Sequence, residues 1–364
     1  MPTTQTIEID PDITRAETLP AAVYREAAYV EAARERVFAR SWQFVADLDR
    51  LKGPGHALPL TVLEGYLNEP LLLTRDAQDR LNCFSNVCTH RGNLLVEGEC
   101  HGQQLRCRYH GRCFAMDGRF VSAPGFDEAA DFPRDADNLA RVAYGLWGKF
   151  IFAGVDPAFP FDQLMSPLRE RLDWLPFEQF TFDPTRSRDY LVRANWALYC
   201  DNFLEGFHIP YVHPGLATAL DVRAYRTEIF DYANLQVGVA SHVEESFELP
   251  DSSPDHGEKI GAYYFWLFPN TMFNFYPWGL SINIVMPLAP DRTRVSFITY
   301  VWDATKLDQG AGASIDRVER EDEDIVEKVQ KGVRSRFYNR GRYSPERERG
   351  VHHFHRLLTE FLKQ

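Results

Sequence analysis

The hydrophobic pattern changes character along the chain. Residues 22–41, AVYREAAYVEAARERVFARS, set apolar positions at helical spacing among Ala, Glu and Arg, and predict an amphipathic helix leading into Trp42. From about residue 42 to 154 the apolar runs shorten and are bounded by turn residues, which predicts β-structure. EPLLLTRDAQDRLNCFSNV reads as two strands about a polar turn at Asp76–Asp79, and RCFAMDGRFV as a hairpin turning at Asp117-Gly118. WGKFIFAGVDP reads as a closing strand ended by Pro157 and Pro160.

Beyond residue 160 the periods are longer. ANWALYCDNFLEGFH, residues 194–208, predicts a helix, and residues 262–302 predict consecutive antiparallel strands with a turn at Pro290-Asp291-Arg292. Residues 320–338 predict a long helix, and Val351, Phe354, Leu357, Leu358, Phe361 and Leu362 mark a final amphipathic one. PDSSPDHGE, residues 250–258, reads as a mobile loop. The expected class is α+β. A helical segment over 1–41 packs on the last domain, a β-domain covers 42–155, and a second domain covers 156–364. There is no internal repeat and no low-complexity stretch.

Composition narrows the function. At 364 residues, 45% hydrophobic and 25% charged, the chain is an ordinary globular sequence with room for a large core. No apolar run approaches the ~18 residues that span a bilayer, and MPTTQTIEIDPDITRAE has no apolar signal core, so a cytoplasmic protein without membrane contact is expected. The net charge of −12 argues against nucleic acid as a partner.

Five of the six cysteines, Cys83, Cys88, Cys100, Cys107 and Cys113, cluster; Cys200 stands apart. A disulfide framework is unexpected in a chain this long, and clustering with histidines reads as metal binding. Cys88 and His90 form one pair, Cys107 and His110 another, with 16 residues between the pairs. Two thiolates and two imidazoles suit tetrahedral zinc or a [2Fe–2S] cluster of the Rieske type, in which cysteines hold one iron and histidines the other. Zinc ribbons group like ligands, whereas each pair here mixes one Cys with one His, and this favours the cluster. Cys83, Cys100 and Cys113 read as small buried hydrophobes.

NVCTHRG…CRYHG resembles the Rieske domain of ring-hydroxylating and related Rieske non-haem iron oxygenases, through Asn86, Cys88, His90, Arg91, Gly92, Cys107, Tyr109, His110 and Gly111. Tyr109 is expected to direct its hydroxyl toward the cluster, with core packing as the plain alternative.

The second half offers another ligand set. In NWALYCDNFLEGFHIPYVH, a helix would put Asp201, Glu205 and His208 on one face. Pro210 then interrupts the helix, so His208 and His213 come from a helix end and the turn after it. Two such histidines and one distant carboxylate compose the facial triad of a mononuclear Fe(II) centre with open positions. Asn195-Trp196, Asn202, Glu205, His208 and His213 resemble the family pattern that follows the Rieske domain. The resemblance assigns His208 and His213 to iron. It gives Glu205 the place of an acidic bridge between His208 and the cluster ligand His110 of a neighbouring copy. Many relatives carry Asp there, so Glu departs from the pattern by one methylene. The acidic run EREDEDIVEKVQKG supplies the third ligand. The choline monooxygenase-type pattern points to Asp322, with Asp324 and Glu321 as alternates.

The resemblance implies a helix-grip (START/Bet v1-like) catalytic domain, a homotrimer, and electrons delivered from NAD(P)H by a ferredoxin or flavin reductase. LFPNTMFNFYPWGLSINIVMPL and VQKG…GRYSPERERGVHHFH look like the choline and glycine-betaine monooxygenase branch. Hydroxylation or oxidative N-demethylation of a small substrate with dioxygen is then expected. Aromatic cis-dihydroxylation is the alternative within the family, and electron transfer without oxygenase activity the alternative outside it. Tyr263, Phe265, Phe273, Phe275, Tyr276 and Trp278 could wall a quaternary ammonium, although alternating aromatics are more often core. His352, His353 and His355 read as packing or surface residues.

Overall fold

The computed structural model describes residues 7–363. Met1–Thr6 and Gln364, the ends of the first and last expected domains, lie outside the described residues. The chain divides into two units, one of residues 39–158 and one of the segment up to Phe38 with the chain from Phe159 onward.

The first unit is built from β1 (Trp42–Asp47), β2 (His56–Val62), β3 (Glu69–Arg75), β4 (Leu81–Ser85), β5 (Cys100–His101), β6 (Gln104–Arg106), β7 (Cys113–Ala115), β8 (Phe120–Ser122), β9 (Ala143–Trp147) and β10 (Phe150–Gly154). They form antiparallel sheets ordered β4-β3-β2-β5, β1-β10-β9 and β6-β7-β8. The apolar run in β3 serves two cores, because successive strand residues face opposite sides. Leu72 joins Phe84, Phe114, Cys88 and Cys107, while Leu71 and Leu73 join Leu58, Cys83 and Ile151. The turn between β7 and β8 needs glycine. Gly118 has φ +84°, and a Cβ there would stand 2.4 Å from the Phe84 ring.

The second unit contains α1 (Ala27–Ala33), α2 (Phe161–Leu172), β11 (Thr181–Val192), α3 (Trp196–Phe203), α4 (Ile209–Val212), α5 (Pro214–Ala219), β12 (Arg226–Ile229), β13 (Ala233–Val239), β14 (Ile260–Leu267), β15 (Thr271–Tyr276), β16 (Gly279–Ala289), β17 (Arg292–Val301), α6 (Ile315–Gly332) and α7 (Arg349–Lys363). The strands form one seven-stranded antiparallel sheet, ordered β11-β17-β16-β15-β14-β13-β12. Helix α7 lies on one face through Phe354 against Trp266 (5.3 Å between ring centroids) and Phe361 against Phe268 (4.7 Å). This is the expected α+β helix-grip arrangement.

Several local expectations are corrected. The first helix is shorter than residues 22–41, because Glu26 is extended and α1 passes into a wider turn at Arg34–Phe38. Tyr24, before that break, is fixed by tertiary bonds to Asp201 and from Gln330, which outweigh local propensity. The helix expected to end at 208 stops at Phe203. The long helix is Ile315–Gly332 rather than 320–338. The 250–258 loop is pinned: Asp255 is buried and accepts bonds from Arg171, Arg226 and Tyr263. Cys100 is exposed, contrary to the buried reading, while Cys83 and Cys113 are buried. No helix among the described residues is long and apolar enough to cross a membrane.

Candidate metal centres and substrate pocket

The four Cys/His residues sit on two loops of the same design. Cys88 carbonyl accepts from Gly92 N–H, and Cys107 carbonyl from Gly111 N–H, each at 3.0 Å. Gly92 and Gly111 both take positive φ, +71° and +75°, which closes each loop at little steric cost. Cys88 and Cys107 are buried in the core beneath, while His90 is half-buried and His110 exposed. The two imidazoles stand edge to face with centroids 4.8 Å apart.

Burial raises the Cys88 thiol. At Cys107 the same burial is outweighed by the Tyr109 N–H, Cys88 and the His110 N–H, which lower it. Amide donors aimed at buried sulfurs stabilise thiolates and suit a cluster. Burial, with His110 and Arg112 nearby, lowers His90 and keeps a ring nitrogen free to ligate. Arg112 ties the loops, its guanidinium reaching Thr89 Oγ1 at 2.9 Å and Asp137 Oδ1 at 3.3 Å. Tyr109 is 55% exposed, so it is not a core residue. Its ring leans on His110 at 3.7 Å between centroids.

The second centre is assembled around α4. Asn195 caps α3, accepting from Ala197 N–H. After α3 ends, the Glu205 carboxylate accepts from the N–H groups of Phe207 and His208, which replaces the helical ladder that Glu205 was expected to continue. Pro210 then sits in the first turn of α4, where its missing N–H costs nothing. His208 precedes this single turn and His213 follows it.

Helix α6 brings in the carboxylates. Asp322 Oδ1 lies 2.9 Å from His213 Nε2 and 3.5 Å from His208 Nε2. One ligand atom of each residue falls within 4.8 Å of the others. Donors about 2.1 Å from one ion and about 90° apart stand about 3 Å from each other, so the set fits a single metal. Each imidazole is held from behind by a second carboxylate, His208 Nδ1 by Glu205 Oε1 at 2.7 Å and His213 Nδ1 by Glu321 Oε2 at 2.8 Å. This leaves both Nε2 atoms facing Asp322 and orients them for an ion. Asn202 Nδ2 donates to Asp322 Oδ1 at 2.6 Å. Of the alternates, Asp324 is exposed and paired with Lys328, and Glu321 occupies the back of His213.

Electrostatics follow from this convergence. Burial pulls His208 down, but hydrogen bonds to Asp322 and Glu205 outweigh it and lift its pKa to about 10. Burial pushes Asp322 up, yet the bonds from His208 and His213 prevail and bring it to about 2. A histidine raised in the fold stabilises fully below its ordinary value of 6.5 and loses that contribution as pH climbs through about 10. Iron-free protein should therefore lose more thermal stability on His208→Gln at about pH 6 than at about pH 9. Thermal melts of both iron-free proteins check this, and a gap that widens with pH contradicts it. Iron needs neutral imidazoles, so iron affinity should rise over the same interval.

A cavity of about 740 Å³, its open mouth included, carries His208, His213 and Asp322 on its lining. One face of the sheet supplies its floor. Gln236, Tyr264, Asn274 and Ser281 are successive cross-strand partners, and all four line the cavity, as do Tyr276 and Asn283. Of the two readings open for the aromatics of this segment, core packing holds for most. Of that set Tyr276 lines the cavity, and Trp278 stacks on it at 5.2 Å. Tyr263, Phe265, Phe273 and Phe275 alternate onto the opposite face, where Tyr263 meets Phe247 and Phe275 meets Phe177. Tyr225 and Tyr264, unnamed in the sequence reading, take their place. The histidines of α7 are packing residues, with His355 bonded to Asp201 and Tyr343, and His353 to Asn234.

Comparison with known proteins agrees with the geometry. The family described as "Ring hydroxylating alpha subunit (catalytic domain)" matches residues 172–364, and "Rieske [2Fe-2S] domain" matches residues 41–133. The chain is 31% identical to the chloroplastic choline monooxygenase of Arabidopsis thaliana, over 98% of its own length and 86% of that protein. It is 30% identical to the carnitine monooxygenase oxygenase subunit of Escherichia coli K12, over 96% and 94%. The quaternary ammonium Rieske monooxygenase CntA, solved with L-carnitine, shares the fold at a TM-score of 0.73 and 24% identity over 97% of each chain. Naphthalene 1,2-dioxygenase shares it at 0.72 and 14% identity, over 100% of this chain and 94% of that one. The zinc and electron-carrier alternatives fall with these matches, since the paired domains bind a [2Fe–2S] cluster and a mononuclear iron. The chain belongs to the ring-hydroxylating alpha-subunit family and is a Rieske non-haem iron oxygenase.

Proposed function

We propose that Cys88, His90, Cys107 and His110 hold the cluster, that His208, His213 and Asp322 hold the iron, and that the enzyme monooxygenates a small quaternary ammonium or N-methylated compound. The observation that carries this reading is one cavity bearing both the convergent triad and the tyrosines Tyr225, Tyr264 and Tyr276. Tyrosine faces attract a cation that cannot donate hydrogen bonds. The relatives named for choline and carnitine support the same class.

When bound, the cluster supplies electrons and the iron supplies dioxygen activation. The protein contributes placement. Glu205 and Glu321 fix both imidazoles, Asn202 fixes Asp322, and the tyrosine floor holds substrate beside them. Hydroxylating a C–H bond puts one oxygen atom in product and the other in water, and needs two electrons and two protons from outside. A reductase drawing on NAD(P)H, directly or through a ferredoxin, meets that need, and the cytoplasm is the simplest setting for such a supply. Glu205 would carry the electron path between His208 and the cluster of a neighbouring copy in a homotrimer, since a head-to-tail ring lets every site receive from a neighbour.

Oxygen uptake with a matched reductase, measured across quaternary amines, N-methyl amino acids and arenes, tests the substrate class. Product-coupled uptake is expected with the quaternary or N-methylated compounds. Coupled turnover with arenes alone would assign ring dihydroxylation instead.

A further inference from the structure

The cavity lining includes three acids, Glu205, Glu319 and Asp322, and no lysine or arginine. Glu205 and Asp322 are engaged with the histidines, but Glu319 has no such task. It lies one helical turn before Asp322 on α6 and is 4% exposed. Both of its oxygens accept from the Tyr199 hydroxyl, at 2.6 and 2.8 Å. The largest charge effects on it come from Asp322, Glu323 and Asp316, all acids. Burial first, and then these acids, push its carboxyl well above the usual range.

Burying a carboxylate without a cation is costly, so in the empty pocket Glu319 favours its neutral form, and a cation placed beside it would favour release of the proton and a paired carboxylate. An apolar residue or glutamine could fill the same space on α6 without that cost. A cationic head would lie within reach of the carboxylate, because Glu319 and the tyrosines Tyr225, Tyr264 and Tyr276 line the same cavity. A substrate carboxylate, by contrast, would enter among acids with no lysine or arginine in the lining to receive it, and the two histidines there are already engaged by Glu205, Glu321 and Asp322. The amides of Gln236, Asn274 and Asn283, with Ser281, suit a neutral hydroxyl.

We propose that Glu319 is the counter-charge for the cationic head of the substrate, and that it makes the pocket select net-positive substrates over zwitterions. This deepens the quaternary ammonium reading and rests on it. The test is calorimetric titration of the iron- and cluster-loaded enzyme. The ligands are choline, its neutral isostere bearing tert-butyl in place of trimethylammonium, and glycine betaine.

Wild type should bind choline about tenfold or more tighter than either of the others. Glu319→Gln, which keeps size and an acceptor for Tyr199, should lose that preference for choline while binding the isostere within about twofold of wild type. Glu319→Asp should restore part of it. Equal loss for choline and isostere, or unchanged choline binding in Glu319→Gln, overturns the assignment and leaves the substrate class standing. Wild type that binds no quaternary ammonium overturns both. Should Glu319→Gln fail to retain the cluster spectrum, the wild-type comparison still decides: equal affinity for choline and isostere refutes the role.

Discussion

Asp322→Ala should abolish product formation while leaving the [2Fe–2S] cluster in place and reducible. Among the described residues Asp322 is the one carboxylate facing the Nε2 atoms of both His208 and His213, and its removal leaves two imidazoles without that anion opposite them. Losing a group that only hydrogen-bonds a metal ligand costs about 10–100-fold in metal affinity, so loss of a ligand should exceed that range. The expected result is iron content near that of the cluster alone, an unaltered visible spectrum, and turnover reduced by at least about a thousandfold. Metal analysis, absorbance and a product assay read the three quantities. Asp324→Ala is the control, since Asp324 is exposed and paired with Lys328, and it should retain iron and activity.

The second large effect is expected at Glu205. Its carboxylate bonds His208 Nδ1 at 2.7 Å and also accepts from the backbone N–H groups that start α4. Glu205→Gln preserves length and one acceptor but removes the charge behind the imidazole. Iron should be retained within about tenfold of wild-type affinity, and the cluster should still accept electrons. If Glu205 carries the electron path as proposed, re-oxidation of the cluster by dioxygen and substrate should slow by about 10–100-fold or more. Stopped-flow absorbance follows this step. Re-oxidation at the wild-type rate with turnover lost would move Glu205 from electron path to substrate positioning.

What the sequence disclosed tracks how local each signal is. Cys88–His90, Cys107–His110 and His208–His213 were legible because residues a few positions apart stay close in space, the first two pairs each on one loop and the third at the two ends of a single helical turn. Asp322 lies 109 residues from His213, and only the family pattern selected it. Glu321 and Asp322 are neighbours on α6, about 100° apart around the helix. No spacing rule says which one faces the ion, and in the fold both serve the site, one behind His213 and one before it. That most aromatics of residues 263–278 are core was legible, but which tyrosines face the pocket was not. Tyr263 and Tyr264 look alike in sequence, yet a one-residue shift along a strand exchanges the two faces of the sheet. Asp255 escaped because a buried ion pair in an irregular loop has no period. The end of α3 was missed because Glu205, which continues the helical pattern on paper, turns its carboxylate onto the next backbone amides.

One single-turnover measurement bears most directly on the division of labour between a cluster that relays and an iron site that performs the chemistry. Wild type and Asp322→Ala, each with the cluster fully reduced and no external donor, are mixed with dioxygen and a quaternary ammonium substrate, and cluster absorbance and product are followed together. Wild type should re-oxidise its cluster in step with product formation, while Asp322→Ala should form no product and keep its cluster reduced far longer. Product formed by Asp322→Ala at the wild-type yield would contradict the assignment of the chemistry to His208, His213 and Asp322.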